Sequence, residues 1–453
     1  MSDQKVSFGS YAAIGFMLFA LFFGAGNLIF PAQLGQESGT NLIPANLGFL
    51  ITGVGLPLAG ILAIAYSGSR NLQELASRVH PVYGIFFTAL LYLTIGPFFA
   101  APRTGTVAFE VGIAPFVAEE SLQTGLLIFT LIFFAVTLLI SLYPGKIVDN
   151  IGKILSPALV ILLVALLVTV IVSPMGPIQE PQGSYEAEAF MTGFLEGYHT
   201  MDALASLVFG IIVINVIRAL GVKSNRSITK VATKAGIIAI VLLGIIYVGI
   251  SYIGATSTTV LGYFDNGGPV LSGAASHYFG ILGSVLLAIM IILACLTTAV
   301  GLVVANAEYF HTLFPKISYK VLVVFFSLLT FTVANFGLTN IISYSIPILM
   351  FLYPLAIVLM ILTFVSPLFR HAQLVYAATI GVTFLISIID GLVALVDSLG
   401  IEMFGWLAPI VNFYDSILPL YSQGLGWLLP AVIVIVITGI IARVFNLPQA
   451  KQT

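Results

Sequence analysis

Apolar residues run along this chain in stretches of about 20 or more, the length a helix needs to cross a bilayer, separated by short polar breaks. The runs lack the in-out alternation of a membrane barrel strand, so helices are the spanning structure they predict. They define twelve segments, at about 9–34, 42–67, 82–110, 121–143, 147–173, 190–219, 228–255, 282–310, 318–336, 338–365, 371–396 and 425–445. The longest polar stretches between them are 174–189, 256–281 and 397–424, none long enough for a soluble domain. The last holds Trp406, Tyr414 and Tyr421, which suit a segment at the membrane interface.

Composition sharpens this picture. Of 453 residues, 59 % are hydrophobic and 8 % charged, against roughly a quarter charged in a soluble protein. Such a chain cannot cover a water-facing surface, which excludes a soluble enzyme, a nucleic-acid binder and a secreted disulfide scaffold. The single cysteine, Cys295, excludes an intrachain disulfide and a thiolate-rich metal site. Residues 1–7 carry no basic cluster ahead of the first apolar run, so that run reads as a retained span and not as a cleaved leader.

The charges then orient the segments. Arg70, Arg78, Lys146, Lys153, Arg218, Lys223, Arg226, Lys230, Lys234, Lys316, Lys320 and Arg370 all fall on one side, with Lys5, Arg443 and Lys451 at the two ends of the chain. Arg103, inside the third segment, is the exception. The opposite side is acidic, with Glu37, Glu119, Glu120, Glu180, Glu186, Glu188, Asp265, Asp397, Glu402 and Asp415. Basic loops face the cytoplasm, so both termini are expected there.

Candidate chemistry lies where the helices are hard to continue. The first segment contains Gly24-Ala25-Gly26-Asn27 and then Pro31; each glycine costs about 1 kcal/mol against alanine, and proline removes a backbone donor. Backbone groups freed in mid-membrane are tolerated where they line a cavity or bind something, although small residues also serve close helix packing. The sixth segment crowds Glu196, Tyr198, His199, Thr200, Asp202 and Ser206 into an apolar run. Ionisable groups inside a span are functional candidates by default, and Asp202 is too deep to reach an interface. His199 has no second histidine or cysteine at ligand spacing, so a capping or gating contact suits it better than a metal.

Segments 1 and 6 are five apart, so the breaks take corresponding places in a five-plus-five repeat whose halves are inverted because five is odd. Paired broken helices in such a repeat mark a transporter site near the midplane. Amides at one half-helix start attract a carboxylate, and carbonyls at another half's end attract a cation. Segment 8 adds Ala294, Thr297 and Thr298, hard oxygens that suit an alkali cation or simply bond back to their own helix. In segment 3, Arg103 and Glu110 share a helix face, as an outer gate, a lock or a substrate contact. Segment 10, with Ser343, Tyr344, Ser345, Pro347 and Pro354, reads as kinked. No phosphate-binding loop or hydrolase signature is present, so energy must come from a gradient.

At these residues the chain resembles a known family, the bacterial branched-chain amino acid:cation symporters of the BrnQ type, which carry leucine, isoleucine and valine. The resemblance spans about 9–445 and rests on Phe22 through Gly35, on Ala101-Pro102-Arg103-Thr104 with Phe109-Glu110, and on Gly197 through Ala205. The family is similar in architecture to the leucine-transporter fold. The resemblance implies an all-α integral membrane protein of twelve transmembrane helices in a single domain. Repeat one covers about 9–173, repeat two about 190–365, and two extra helices about 371–445, with helices 1 and 6 discontinuous.

It also implies a sodium-coupled symporter of the bacterial cytoplasmic membrane, working by alternating access. Position by position, Gly24, Ala25, Gly26 and Asn27 resemble the unwound centre of helix 1 that takes the substrate carboxylate. Tyr198, Thr200 and Asp202 are the further substrate-site candidates; Asp202 has no obvious equivalent in that fold and would bind the ammonium or a proton. The sodium ion would sit between helices 1 and 8, on the carbonyls of Ala20, Phe23 and Ala294 and the hydroxyls of Thr297 and Thr298. A second sodium site is implied at Asn27 with Thr200. Proton coupling through Asp202, His199 or Glu196 is the alternative within the transporter class. An ion channel, or an intramembrane enzyme using Asp202 and His199 as acid and base, are the readings from other classes.

Overall fold

The computed structural model describes residues 6–143 and 146–450, with the backbone alone over 146–158. Lys5 and Lys451, and the side chains of Lys146 and Lys153, all used above to orient the chain, lie outside the described residues. Among the described residues the protein is all-helical, with one isolated bridge between Ala372 and Gln449 and no strand.

The first apolar segment forms two helices, α1 (Phe8–Phe22) and α2 (Gly26–Ser38), separated at the Gly24–Gly26 break. The second is α3 (Leu42–Leu50) and α4 (Leu56–Ser67), joined by one π-helical turn over Ile51–Gly55. A short α5 (Leu72–Ala76) leads to the third, α6 (Pro81–Leu93) and α7 (Ala100–Gly112). Between these two, Pro97 and the non-helical Gly96 (φ −88°, ψ −118°) force a kink. A Cβ on Gly96 would stand 2.2 Å from the Asn306 amide nitrogen, so any larger residue there would have to displace that buried side chain. Then follow α8 (Leu122–Leu142) and α9 (Lys146–Val172).

The sixth segment is α10 (Tyr185–Glu196), a 3-10 turn over Gly197–Thr200, and α11 (Asp202–Ala219). Met201 between them has φ +62°, a left-handed backbone that non-glycine residues rarely adopt. The remaining helices are α12 (Asn225–Leu261), α13 (Gly268–Leu313), α14 (Tyr319–Ala334), α15 (Leu338–Val365), α16 (Gln373–Leu399), α17 (Leu407–Ile417) and α18 (Leu428–Val444).

Two polar stretches are more helical than their composition implies. In 256–281, α12 runs on to Leu261 and α13 starts at Gly268, interrupted at Gly280 (φ +60°). In 397–424, α17 carries Tyr414. Eight helical stretches are long and apolar enough to cross a membrane, with four shorter apolar helices beside them, among the described residues. This differs from a simple run of twelve because the break splits the first helix, leaving Phe8–Phe22 short, while Tyr319–Ala334 and Leu428–Val444 are also under length. The protein is a multi-pass membrane protein.

Glycines set how closely the broken helices approach their neighbours. A Cβ on Gly35 of α2 would stand 1.9 Å from the Ser251 carbonyl oxygen of α12, and one on Gly254 of α12 would stand 2.0 Å from the Ala32 carbonyl oxygen of α2. The α3–α10 contact is built alike: Gly48 faces the Phe190 carbonyl at 2.0 Å and Gly193 faces the Ala45 carbonyl at 2.1 Å. Small residues let backbones touch, the usual cohesion of membrane helices. Both halves of the first broken helix, α1 and α2, pack on α12; both halves of the second, α10 and α11, pack on α3 and α4.

Candidate functional site

The two breaks meet in the interior. Gly24 donates its amide to the Asn27 side-chain oxygen at 3.0 Å, closing the turn between α1 and α2. That bond diverts the donor that would otherwise reach back to the Ala20 carbonyl four residues earlier. The Asn27 amide nitrogen then donates across to Asp202 Oδ2 at 2.5 Å. Tyr247 of α12 donates its hydroxyl to the same oxygen at 3.3 Å, and the Asn27 amide nitrogen also reaches that hydroxyl. Asn27, Asp202 and Tyr247 are buried. One carboxylate therefore ties the break in the first helix to the break in the sixth and to α12.

Asp202 is the first residue of α11, where a negative charge also suits the helix N-terminus. Its own amide donates to Thr200 Oγ1 at 3.3 Å, and that hydroxyl donates to the Gly197 carbonyl at 2.9 Å. Thr200 thus serves its own turn. Tyr198 is buried with its ring stacked on Tyr353 at 4.0 Å, and its hydroxyl has no hydrogen-bond partner among the described residues. His199 pairs with Glu196 at 3.0 Å and tilts against Phe30 at 5.5 Å.

Arg103 and Glu110 part company. Arg103 is 3 % exposed, and its guanidinium donates to the carbonyls of His199 at 2.6 Å and Thr200 at 3.2 Å, the end of the turn before the second break. It lies over the Phe30 ring at 5.0 Å and within electrostatic reach of Asp202. Glu110 instead borders a cleft of about 650 Å³ near Glu119 and Ser272 on the acidic side. No ion pair joins the two among the described residues. They share a helix but not a partner, because two turns of α7 carry Glu110 out toward the loops while Arg103 stays level with the breaks.

The oxygens expected to hold a cation between helices 1 and 8 differ in exposure. Thr297 and Thr298 each donate to the Ala294 carbonyl, at 2.9 and 3.0 Å. The Thr298 methyl lies 3.8 Å from where a Cβ on Gly24 would stand, so α13 abuts the first break. Phe23 is buried, Ala20 is exposed, and Ala294, Thr297 and Thr298 are half-buried. This corner is more open than the one around Asp202. Cys295 is buried beside it.

Tyr247 and Tyr353 were not singled out from the sequence, although each puts a phenol in the middle of an aliphatic run. With 18 tyrosines in the chain that signal does not discriminate.

Comparison with known proteins identifies the family and the fold. The family profile described as "Branched-chain amino acid transport protein" matches residues 9–445. The branched-chain amino acid permease BrnQ of Bacillus subtilis is 48 % identical over 95 % of this chain and 96 % of its own length. Permease BraB of the same organism is 46 % identical over 97 % and 96 %. The branched-chain amino acid transport system 2 carrier protein of Pseudomonas aeruginosa is 42 % identical over 96 % and 97 %. Among solved structures, inward-facing Mhp1 superposes with a TM-score of 0.60 at 15 % identity, covering 98 % of this chain and 91 % of that one. Mhp1 in a closed conformation, described as a nucleobase-cation-symport-1 family transporter, gives 0.56 at 14 %, covering 88 % and 93 %. At those identities the likeness is one of fold, the leucine-transporter-like fold expected above. The relatives are permeases and carriers, not enzymes, and the chain belongs to the branched-chain amino acid transport protein family.

Proposed function

We propose that the protein is a sodium-coupled symporter that imports leucine, isoleucine and valine across the bacterial cytoplasmic membrane by alternating access. What carries this reading is the Asn27–Asp202–Tyr247 network, which joins two interrupted helices at one buried carboxylate. Half-helix ends meeting in this way hold a zwitterion: α2 offers its first amides to the carboxylate, and the turn at 197–200 offers carbonyls to the ammonium. The names of relatives 42–48 % identical support branched-chain amino acids as the cargo.

The architecture is twelve spans, as a five-plus-five inverted repeat followed by two further helices, with both termini cytoplasmic. Reciprocal packing supports the repeat: the first helix of each half lies along the second helix of the other half. The lopsided basic residues support the orientation. Sodium is placed at the carbonyls of Ala20, Phe23 and Ala294 and the hydroxyls of Thr297 and Thr298. The Ala20 carbonyl, deprived of the Gly24 amide, supports that placement. All five are neutral hard oxygens, as an alkali cation prefers.

The test is uptake of labelled isoleucine into proteoliposomes, with sodium or choline outside and no proton gradient. Accumulation only with inward sodium is expected. Thr298→Ala should raise the sodium concentration for half-maximal uptake several-fold while leaving the melting temperature in detergent close to wild type; an unchanged sodium dependence removes the helix 1–8 site. The buried Asp202 favours one second reading, proton coupling, under which an imposed pH gradient drives uptake in choline.

A further inference from the structure

Arg103 is a cation held where a ligand cation belongs. Carbonyls at the end of a helical turn carry partial negative charge and attract ammonium groups, yet those of His199 and Thr200 are taken by Arg103 of α7. The guanidinium has five donors; its Nε is buried with no hydrogen-bond partner among the described residues, an expensive condition for a charged group. On its other side is α2: a Cβ on Gly26 would stand 2.8 Å from Arg103 Nη2. The first amides of α2 are the ones assigned above to a substrate carboxylate. A carboxylate bound there would lie beside the guanidinium and could accept from two of its nitrogens at once, the pairing for which arginine's planar fork is suited.

We propose that Arg103 and the ammonium of an α-amino acid compete for the carbonyls of His199 and Thr200, and that the amino acid wins them by offering Arg103 its own carboxylate. The exchange creates no net charge in the membrane interior. The zwitterion adds one charge of each sign, the guanidinium trades neutral carbonyls for a carboxylate, and the ammonium takes the carbonyls beside Asp202. Molecules with only one of the two groups are rejected. An amine lacks the carboxylate that draws Arg103 away, and a keto acid leaves the carbonyls without a cation. This makes Arg103 a specificity-determining residue, and the inference rests on the site being an amino acid site as proposed above.

The test is equilibrium binding of labelled isoleucine and of labelled 2-methylbutylamine, the same molecule without its carboxylate, to the purified protein in detergent, with sodium present. Wild type should bind isoleucine and not the amine. Arg103→Ala should lose isoleucine affinity by about a hundredfold, as expected for removing one partner of a buried charge pair, and should gain measurable binding of the amine. Gain of the amine is the decisive readout, because a merely structural arginine would leave a variant that binds neither. A folded Arg103→Ala protein that keeps its isoleucine affinity, or that binds neither compound, overturns the proposal. Arg103→Lys guards against misfolding of the alanine variant. It keeps the charge without the fork, and should raise the KM for isoleucine by about tenfold with a smaller change in maximal rate; an unchanged KM overturns the proposal too. Wild-type protein that binds no branched-chain amino acid defeats the functional reading instead.

Discussion

Asp202→Ala is expected to reduce isoleucine uptake by about a hundredfold, the effect of deleting a buried, hydrogen-bonded charge. The carboxylate accepts from Asn27 and Tyr247 and lies close to Arg103. Alanine leaves the Tyr247 hydroxyl without an acceptor, at about 1–3 kcal/mol, leaves Asn27 only that hydroxyl to donate to, and leaves Arg103 without its nearby negative charge. The melting temperature in detergent should therefore fall as well. Asp202→Asn separates the two effects: it restores an acceptor oxygen, so stability should largely return, while uptake stays low if the charge is what counts. Tyr247→Phe removes one donor and no charge, and should be the mildest of the three. Wild-type uptake by Asp202→Ala would dissociate this network from transport.

Gly35→Val acts through distance instead of charge. A Cβ at position 35 would stand 1.9 Å from the Ser251 carbonyl oxygen, 2.7 Å from its carbon and 2.9 Å from the Ala255 nitrogen, all backbone atoms that no rotamer change can clear. α2 and α12 would have to separate. Overpacking of this kind costs about 1–3 kcal/mol and often more where backbone must move. The shift also reaches the site, since α2 carries Asn27 and α12 carries Tyr247, partners of one carboxylate. The variant should melt at lower temperature and transport poorly. Gly301→Val in α13, where a Cβ meets nothing within 4 Å, is the matched control and should do neither. Equal behaviour of the two variants would mean that the α2–α12 contact does not hold the site together.

Much of this was legible in the chain itself. Hydropathy placed the helices within a few residues, since α8 (Leu122–Leu142) and α15 (Leu338–Val365) coincide closely with apolar runs read at 121–143 and 338–365. Gly24, Gly26 and the polar cluster around Asp202 marked the two interruptions. These are local properties: whether a stretch suits lipid, and whether its backbone can stay helical, depends on residues a few positions apart. Where the composition was mixed the reading fell short, as at 256–281, where a helix starts at Gly268 and breaks again at Gly280.

Partnership was decided only by the tertiary structure. A seven-residue spacing suggests that Arg103 and Glu110 act together, yet Arg103 bonds the carbonyls before Asp202 while Glu110, two turns further along α7, borders the cleft near Glu119. Tyr247 joins Asp202 from 45 positions away and Asn27 from 175. Which side chains meet depends on how far each helix is rotated and how closely it approaches its neighbour. Contacts such as Gly35 on Ser251 and Gly193 on Ala45 set both. Glycine in a single helix signals only a small residue. Its meaning as a point of backbone contact comes from the helix that packs against it.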